Sequence, residues 1–327
     1  MARFHRAHLQ RLLLDSLPDR VDLQLRKRIV SVRVKSSSSA ADEGVVIGFQ
    51  EGTTVEADLL VGADGIHSAV RWAFVPGHAP RWTGGIALRS TFDVSLVEGI
   101  SGLPDDAVFY AGHDRNLFVS RLGRNQFTVA GLLQFDPDDP QGLFRGAKWN
   151  AEGDVTQLRA YFKDWHPTAR ALVEATPYTR VHPNLLGAPL EMMVFDGRVA
   201  LLGDAGHTHG GAFAAGGSLA INDAHALALA LAHTWPTGDG GRPNNRHLAE
   251  ALAFFDRTRR PHVNKLIEIA SKQALDRQRR SQASGTQAES DCWLRERVSG
   301  LGDVAWLAEH DVESEFKAVI GSEVTTM

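Results

Sequence analysis

Apolar residues recur at helical spacing near the start of the chain, at Leu9, Leu12, Leu13 and Leu17, and Pro18 closes the pattern. The spacing predicts one amphipathic helix over residues 4–17. Beyond it the period shortens to two. Residues 22–35 alternate apolar and charged side chains, residues 36–41 read as a turn, and residues 45–49 alternate again, which predicts a hairpin. Glu51-Gly52 then turns the chain into a third strand, residues 55–61, which becomes continuously apolar and ends in Gly62-Ala63-Asp64-Gly65. From about residue 76 to 190 the texture changes to short, turn-bounded β-like runs at 86–91, 108–110, 117–122 and 126–133, with a Pro/Asp/Gly-rich surface loop at 136–154. A buried strand returns at 199–202, followed by a loop with six glycines over 203–217 and a helix over 218–233. Helical periodicity resumes from 247 to about 275. The last stretch, with Trp293, Leu294, Trp306 and Leu307 among charges, reads as a docked tail or, near 281–290, as disorder.

The two flanks are alike in kind and differ from the middle, which is what a discontinuous α/β domain interrupted by an inserted sheet produces. The boundaries expected are 1–75 and 191–280 for the two parts of that domain, 76–190 for a mostly antiparallel inserted sheet, and 281–327 for a C-terminal helical tail. A length of 327 residues, 43% of them hydrophobic, suffices for such an arrangement. The net charge of -4 leaves no electrostatic footprint for nucleic acid or an anionic membrane, so the expected partner is a small molecule or another protein. A single cysteine, Cys292, rules out an internal disulfide framework and the usual thiolate metal sites, and reads as an ordinary buried thiol. The first residues lack the apolar core of a secretory signal, and no apolar run approaches the roughly 20 residues that span a bilayer. A cytoplasmic protein is expected. The longest apolar run, residues 224–232, contains His225 and fits a buried helix.

Two segments concentrate the chemistry. The first runs from Arg198 through Gly203-Asp204 and His207 to Gly216-Gly217-Ser218 and Asp223. A buried strand that delivers Asp204 at its C-terminal end puts a carboxylate in the crevice where open α/β sheets bind ligands, and it can accept hydrogen bonds from a polyol. Gly216-Gly217 opens the next helix with unobstructed N–H groups and the positive dipole end. Close packing in a tight strand–helix turn explains the same glycines. The second segment, residues 58–71, brings another apolar strand to Asp64-Gly65, with Ser68 and Arg71 on the first turn of a helix. Asp64 can orient a ribose or a water at a pyrophosphate, Arg71 can pair with phosphate or a carboxylate, and a β-turn with Ser68 as N-cap accounts for the segment equally. His207 and His209 titrate near neutrality, and loop histidines are most often structural.

In this order, and separated by an inserted sheet, the two segments resemble the DG and GD motifs of the group A flavoprotein hydroxylases, the p-hydroxybenzoate and salicylate hydroxylase family. The resemblance implies a partial glutathione-reductase-like FAD-binding fold and an FAD-dependent monooxygenase that uses NAD(P)H and O₂ to hydroxylate an aromatic or related ring. It implies that Asp204 holds the ribityl chain and that Gly216 and Gly217 offer amides to the isoalloxazine. Residues 4–9 look like the family's helix whose arginine contacts FAD, which makes Arg6 a candidate for the pyrophosphate. Arg89 sits where relatives place an active-site arginine on the first strand of the substrate sheet, with Tyr110 a second catalytic candidate; solvated or core positions are the plainer readings of both. Three departures stand out. Thr208-His209-Gly210-Gly211 replaces the family's proline-bearing stretch, and Gly206 stands for an alanine. No G-x-G-x-x-G precedes Arg6, so the strand at 199–202 is expected to have an unpaired apolar edge. Epoxidation or oxidative decarboxylation on the same fold, an N-terminally truncated, non-catalytic remnant or incomplete gene model, and a flavin-free binding module stay open as alternatives. Oligomeric state is not readable from the sequence.

Overall fold

The structure is a computed structural model and describes residues 5–35, 43–235, 244–281, 287–299 and 305–324. The expected hairpin is present: β1 (Ile29–Lys35) pairs antiparallel with β2 (Gly44–Phe49), and β3 (Thr54–Ala57) continues the meander. Its turn lies outside the described residues. The single third strand expected at 55–61 is two strands. After β3 the chain leaves the first sheet, and β4 (Leu60–Gly62) enters another, parallel to β12 (Val199–Leu201), which in turn pairs antiparallel with β11 (Val194–Phe195). Arg198 makes the switch. Its guanidinium donates to the Asp58 carbonyl at 2.9 Å, and its own carbonyl accepts from the Leu60 amide at 2.8 Å. The order β11-β12-β4 also corrects the expected edge. Strand β12 has a partner on both sides and its three residues are fully buried, whereas β4 is paired on one side only among the described residues.

The middle of the chain forms a six-stranded antiparallel sheet in the order β6-β7-β8-β5-β10-β9. These strands are β5 (Arg81–Asp93), β6 (Val108–Ala111), β7 (Arg115–Leu122), β8 (Gln126–Gln134), β9 (Ala151–Gly153) and β10 (Thr179–Leu186). Register fixes its two faces, because directly opposed residues point the same way. Leu88 opposes Gly131, Gly131 opposes Leu117, and Leu117 opposes Tyr110, so these four share one face. That face is covered by α3 (Val155–Phe162) and α4 (Pro167–Glu174). A Cβ at Gly131 would lie 2.5 Å from Leu158, which is why glycine stands under the helix. Leu158, Phe162 and Leu172 are fully buried, each worth about 1.5 to 3 kcal/mol of transfer free energy. Neither helix was expected from the sequence. Both are short and capped locally, by Asp154 accepting from the Thr156 amide and by His166 ahead of Pro167, and such signals are hidden in a Pro/Asp/Gly-rich context.

Helix α5 (Gly216–Thr234) and helix α6 (Asn245–Ser281) pack with β12 and β4 around the second core, which includes Leu219, Leu227, Phe254 and Phe255. Helix α6 continues through Pro261. The tail forms α7 (Gln287–Ser299), α8 (Ala305–Ala308) and α9 (Val312–Val324), and Val312 and Phe316 of α9 join that core. Cys292 on α7 is exposed, not buried as the sequence suggested, because α7 carries polar residues on most of its surface. The first helix, α1, forms at Arg6–Asp15 as expected, but none of its residues is buried, and Leu12 and Leu13 are more than half exposed. By packing, the chain divides into one unit of residues 1–23, 82–184 and 274–303 and another of 24–81, 185–273 and 304–327. Among the described residues no helix is long and apolar enough to cross a membrane.

Candidate active site

At the end of β4, Gly62 is packed so tightly that a Cβ would come within 2.9 Å of both Val70 and Leu201. The chain then turns into α2 (Ala69–Phe74), and Asp64 organises the turn. One carboxylate oxygen accepts from the Ser68 hydroxyl at 2.5 Å, and the other accepts from the amides of Ala69 and Val70 at 2.7 and 3.2 Å. Ser68 accepts in turn from the Arg71 amide at 2.8 Å, a conventional N-cap. Asp64 itself remains exposed on its outer side. Arg71 is buried and makes no ion pair with a carboxylate among the described residues: it donates to the carbonyls of Asp204 (3.1 Å), Ala205 (2.7 Å) and Ile66. Burial lowers its pKa while Asp64 and Asp204 raise it, leaving it below the usual arginine value. One guanidinium thus ties the two motif loops together.

The second loop is anchored from below. Beyond β12 the Gly203 amide donates to Asp223 on α5 at 2.8 Å, and the same carboxylate oxygen lies 2.5 Å from Nε2 of His207. The other oxygen accepts from Nε of Arg259 on α6 at 2.9 Å, and Arg259 reaches His310 at 2.7 Å. His207, Asp223 and Arg259 are essentially without exposed surface. Burial alone would raise the Asp223 pKa, but His207, Arg259 and the Gly203 amide together hold it below the ordinary carboxylate value. His207 is therefore a structural partner of Asp223. Asp223 was only part of a motif in the sequence and Arg259 was not singled out; an apolar run with an arginine at helical spacing carries no signal that the arginine points inward.

Asp204 is the exception within this network. Its carbonyl accepts from Arg71 and from the Thr208 hydroxyl, at 2.8 Å for the latter, yet its half-buried carboxylate has no hydrogen-bond partner among the described residues. His209 is buried nearby; desolvation lowers its pKa against the opposing pull of Asp204. Gly210 and Gly211 adopt φ of 66° and 71°, and Phe213 and Ala214 follow in the same left-handed region at 56° and 53°, where side chains are strained. Then α5 opens at Gly216-Gly217 behind Ala215, with no side chain capping its first amides. A Cβ at Gly216 would lie 3.1 Å from Nε2 of His209, while one at Gly217 would meet nothing within 4 Å. An unpartnered carboxylate and an uncapped helix N-terminus with open space before it fit a ligand that has both a polyol and an electron-rich edge.

The two expected catalytic residues are not brought together. Tyr110 faces the helix-covered core, where burial raises its phenol pKa, while Arg89, opposite Ala130, points from the other face of the same sheet. Arg6, on α1, is exposed and its charge acts on Arg89.

Residues 8–268 match the family described as FAD binding domain. The 6-hydroxynicotinate 3-monooxygenase of Bordetella bronchiseptica is 33% identical over 227 residues, covering 68% of this chain and 55% of that protein. Its counterpart from Pseudomonas fluorescens is 31% identical over 262 residues, covering 78% of this chain and 62% of that protein. The chain thus spans 55% and 62% of the length of these two relatives. A salicylate hydroxylase substrate complex superposes with a TM-score of 0.72 at 21% identity, over 96% of this chain and 75% of that one, so the α/β FAD-binding fold is shared. FAD is the cofactor named by this family, and it is bound in the similar HpxO structures of Klebsiella pneumoniae. The match over residues 8–268 shows that the chain belongs to the FAD binding domain family.

Proposed function

We propose that this chain carries the ribityl and ring subsites of an FAD-dependent monooxygenase that hydroxylates a small aromatic or related ring with NAD(P)H and O₂. The observation that carries the reading is the Asp204 carboxylate, unpartnered among the described residues, at the end of β12 on the loop that leads into the uncapped N-terminus of α5. In this role Asp204 accepts from ribityl hydroxyls. The amides of Gly216 and Gly217, with the dipole of a 19-residue helix behind them, stabilise negative charge on the pyrimidine edge of the reduced ring. The bound flavin supplies the redox and oxygen chemistry, and the protein supplies placement and exclusion of water. Arg89 is the residue of the inserted sheet assigned to the substrate.

Riboflavin tests the reading directly, because it contains only the parts these residues would hold. Titration of the chain should quench riboflavin fluorescence, and Asp204→Ala should weaken binding about 10- to 100-fold, the worth of a charge-assisted hydrogen bond. The melting temperature should be unchanged. Equal affinity of a folded Asp204→Ala variant would remove Asp204 from the site, and no quenching by the native chain would overturn the reading.

A further inference from the structure

Between α8 and α9 the chain meets α6 at His310, and the contact there is chemically one-sided. Nε2 of His310 lies 2.7 Å from a guanidinium nitrogen of Arg259. A guanidinium only donates, so Nε2 is the bare, accepting nitrogen and the imidazole is neutral. A proton on Nε2 turns acceptor into donor and sets two cations against each other. The His310 ring also stacks on His262, centroids 3.7 Å apart, and Trp306 stands edge-on to His262 at 5.0 Å.

The surrounding charges decide which ring takes a proton first. Burial and Arg259 lower the pKa of His310, opposed by Glu315 and Asp311 from the tail. Burial, His310, Arg259 and Lys265 lower that of His262, opposed only by Asp223. His310, with two carboxylates on its side, is therefore the group that acid charges first. On the α5 side the remaining charged pair, His225 and Glu313, lies 3.8 Å apart.

Behind Arg259 lies the loop that carries Asp204. Nε of Arg259 holds one Asp223 oxygen at 2.9 Å, and the other oxygen accepts from the Gly203 amide at 2.8 Å, beside Nε2 of His207 at 2.5 Å. The last guanidinium nitrogen is buried with no hydrogen-bond partner among the described residues. His310 and Asp223 between them thus fix the orientation of Arg259. Val312 and Phe316 sit in the core whatever the charge on His310, so loss of this contact frees Arg259 and leaves α9 seated.

We propose that His310 is a positioning residue for the loop bearing Asp204: neutral, it pins Arg259 and through it Asp223 and the Gly203 amide, and a proton on it withdraws the pin. The consequence for flavin rests on Asp204 being the ribityl acceptor, since a looser loop holds that carboxylate less firmly in place. Binding and protonation are then linked in both directions: acid weakens the flavin, and bound flavin resists the proton.

Amide exchange of the full chain reads the pin without any ligand, and riboflavin titration reads its consequence. From about pH 7.5 to about pH 5, the protection factor of the Gly203 amide, corrected for intrinsic exchange, should fall about tenfold, and riboflavin should bind about threefold to tenfold more weakly. His310→Gln, whose side-chain oxygen accepts from Arg259 at either pH, should match the native chain near neutrality and lose both responses. His310→Lys, a permanent donor, should show the acid values already near neutrality. A Gly203 protection factor that ignores pH, or a fall that persists in His310→Gln, would overturn the proposal whether or not riboflavin binds. Riboflavin that binds equally well at both pH values would overturn the link to Asp204. An exchange response abolished by His310→Gln supports the pin even without quenching, and in that case the flavin site alone falls.

Discussion

Around Asp223 every charge is answered from within: His207 and the Gly203 amide share one carboxylate oxygen, Arg259 takes the other, and all three side chains are sealed from water. Around Arg89 the fold does the opposite, leaving a guanidinium without an ion pair among the described residues, its pKa lowered by burial and by the charge of Arg6, and its own charge lowering the pKa of the His182 imidazole. Both clusters combine arginine, histidine and strand or helix backbone, so residue types do not distinguish them. Pairing does. A buried ion whose partners are all protein groups is scaffolding, and a half-open one whose neighbours repel it is a place for a ligand.

The sharpest way to break this contrast is Asp223→Asn, which strands the Arg259 charge without exposed surface. A loss of about 3 to 5 kcal/mol is expected in denaturant unfolding at neutral pH. Because the Asp223 pKa is depressed in the folded state, its contribution is complete above the unfolded carboxylate value, roughly 3.9, and disappears as pH falls toward the folded value. The variant should lack that part of the acid transition. Next in size is Arg71→Met, which removes the donor to three carbonyls and should cost about 2 to 3 kcal/mol, measured the same way. If it cost nothing, the two motif loops would not depend on their shared arginine.

His262 gives a smaller, pH-dependent effect. It stacks on His310 with centroids 3.7 Å apart, and burial, His310, Arg259 and Lys265 lower its pKa to about 3. A histidine depressed in this way is neutral when folded but protonates when unfolded, so native stability declines as pH drops from about 6.5 toward 3. His262→Phe should be near neutral at pH 7 and more stable than the native chain by on the order of 1 kcal/mol at pH 5, allowing for solvent screening. Melting temperatures across that range check it. The smallest effect expected is from Ala214→Gly, which relieves a residue at φ 53° and should stabilise by about 1 kcal/mol. A loss of riboflavin affinity alongside the gain would tie that strain to ligand binding; unchanged affinity would leave it a local oddity of the loop.

The sequence announced the strands that alternate cleanly and the two motif loops, because alternation and Asp-Gly or Gly-Asp at a strand end are local signals. It misread residues 55–61 because the break at Asp58 is imposed by Arg198, far away in the chain. Helices α3 and α4 escaped notice because each is only eight residues long and its identity lies in caps. Among site residues, Asp204 was legible from its place at a strand end, whereas the part played by Asp223 depends on Arg259 and His207, which only packing brings to it. The opposite facing of Arg89 and Tyr110 was hidden too, since it follows from a register that runs across four strands.

The pairing of β4 with β12 also sets an order of events when the chain folds. Leu60 and Val199 lie opposite each other in a ladder that cannot form until everything between them has been gathered in. The entropy of closing so long a loop is the slowest kind of cost to recover, and it shrinks once the intervening sheet has condensed on its own short-range hairpins. Refolding should therefore show two kinetic phases. The fast one should respond to substitutions between β5 and β8, and the slow one to changes at Leu60 or Val199, so that the segment bearing Asp204 is the last part of the molecule to reach its final position.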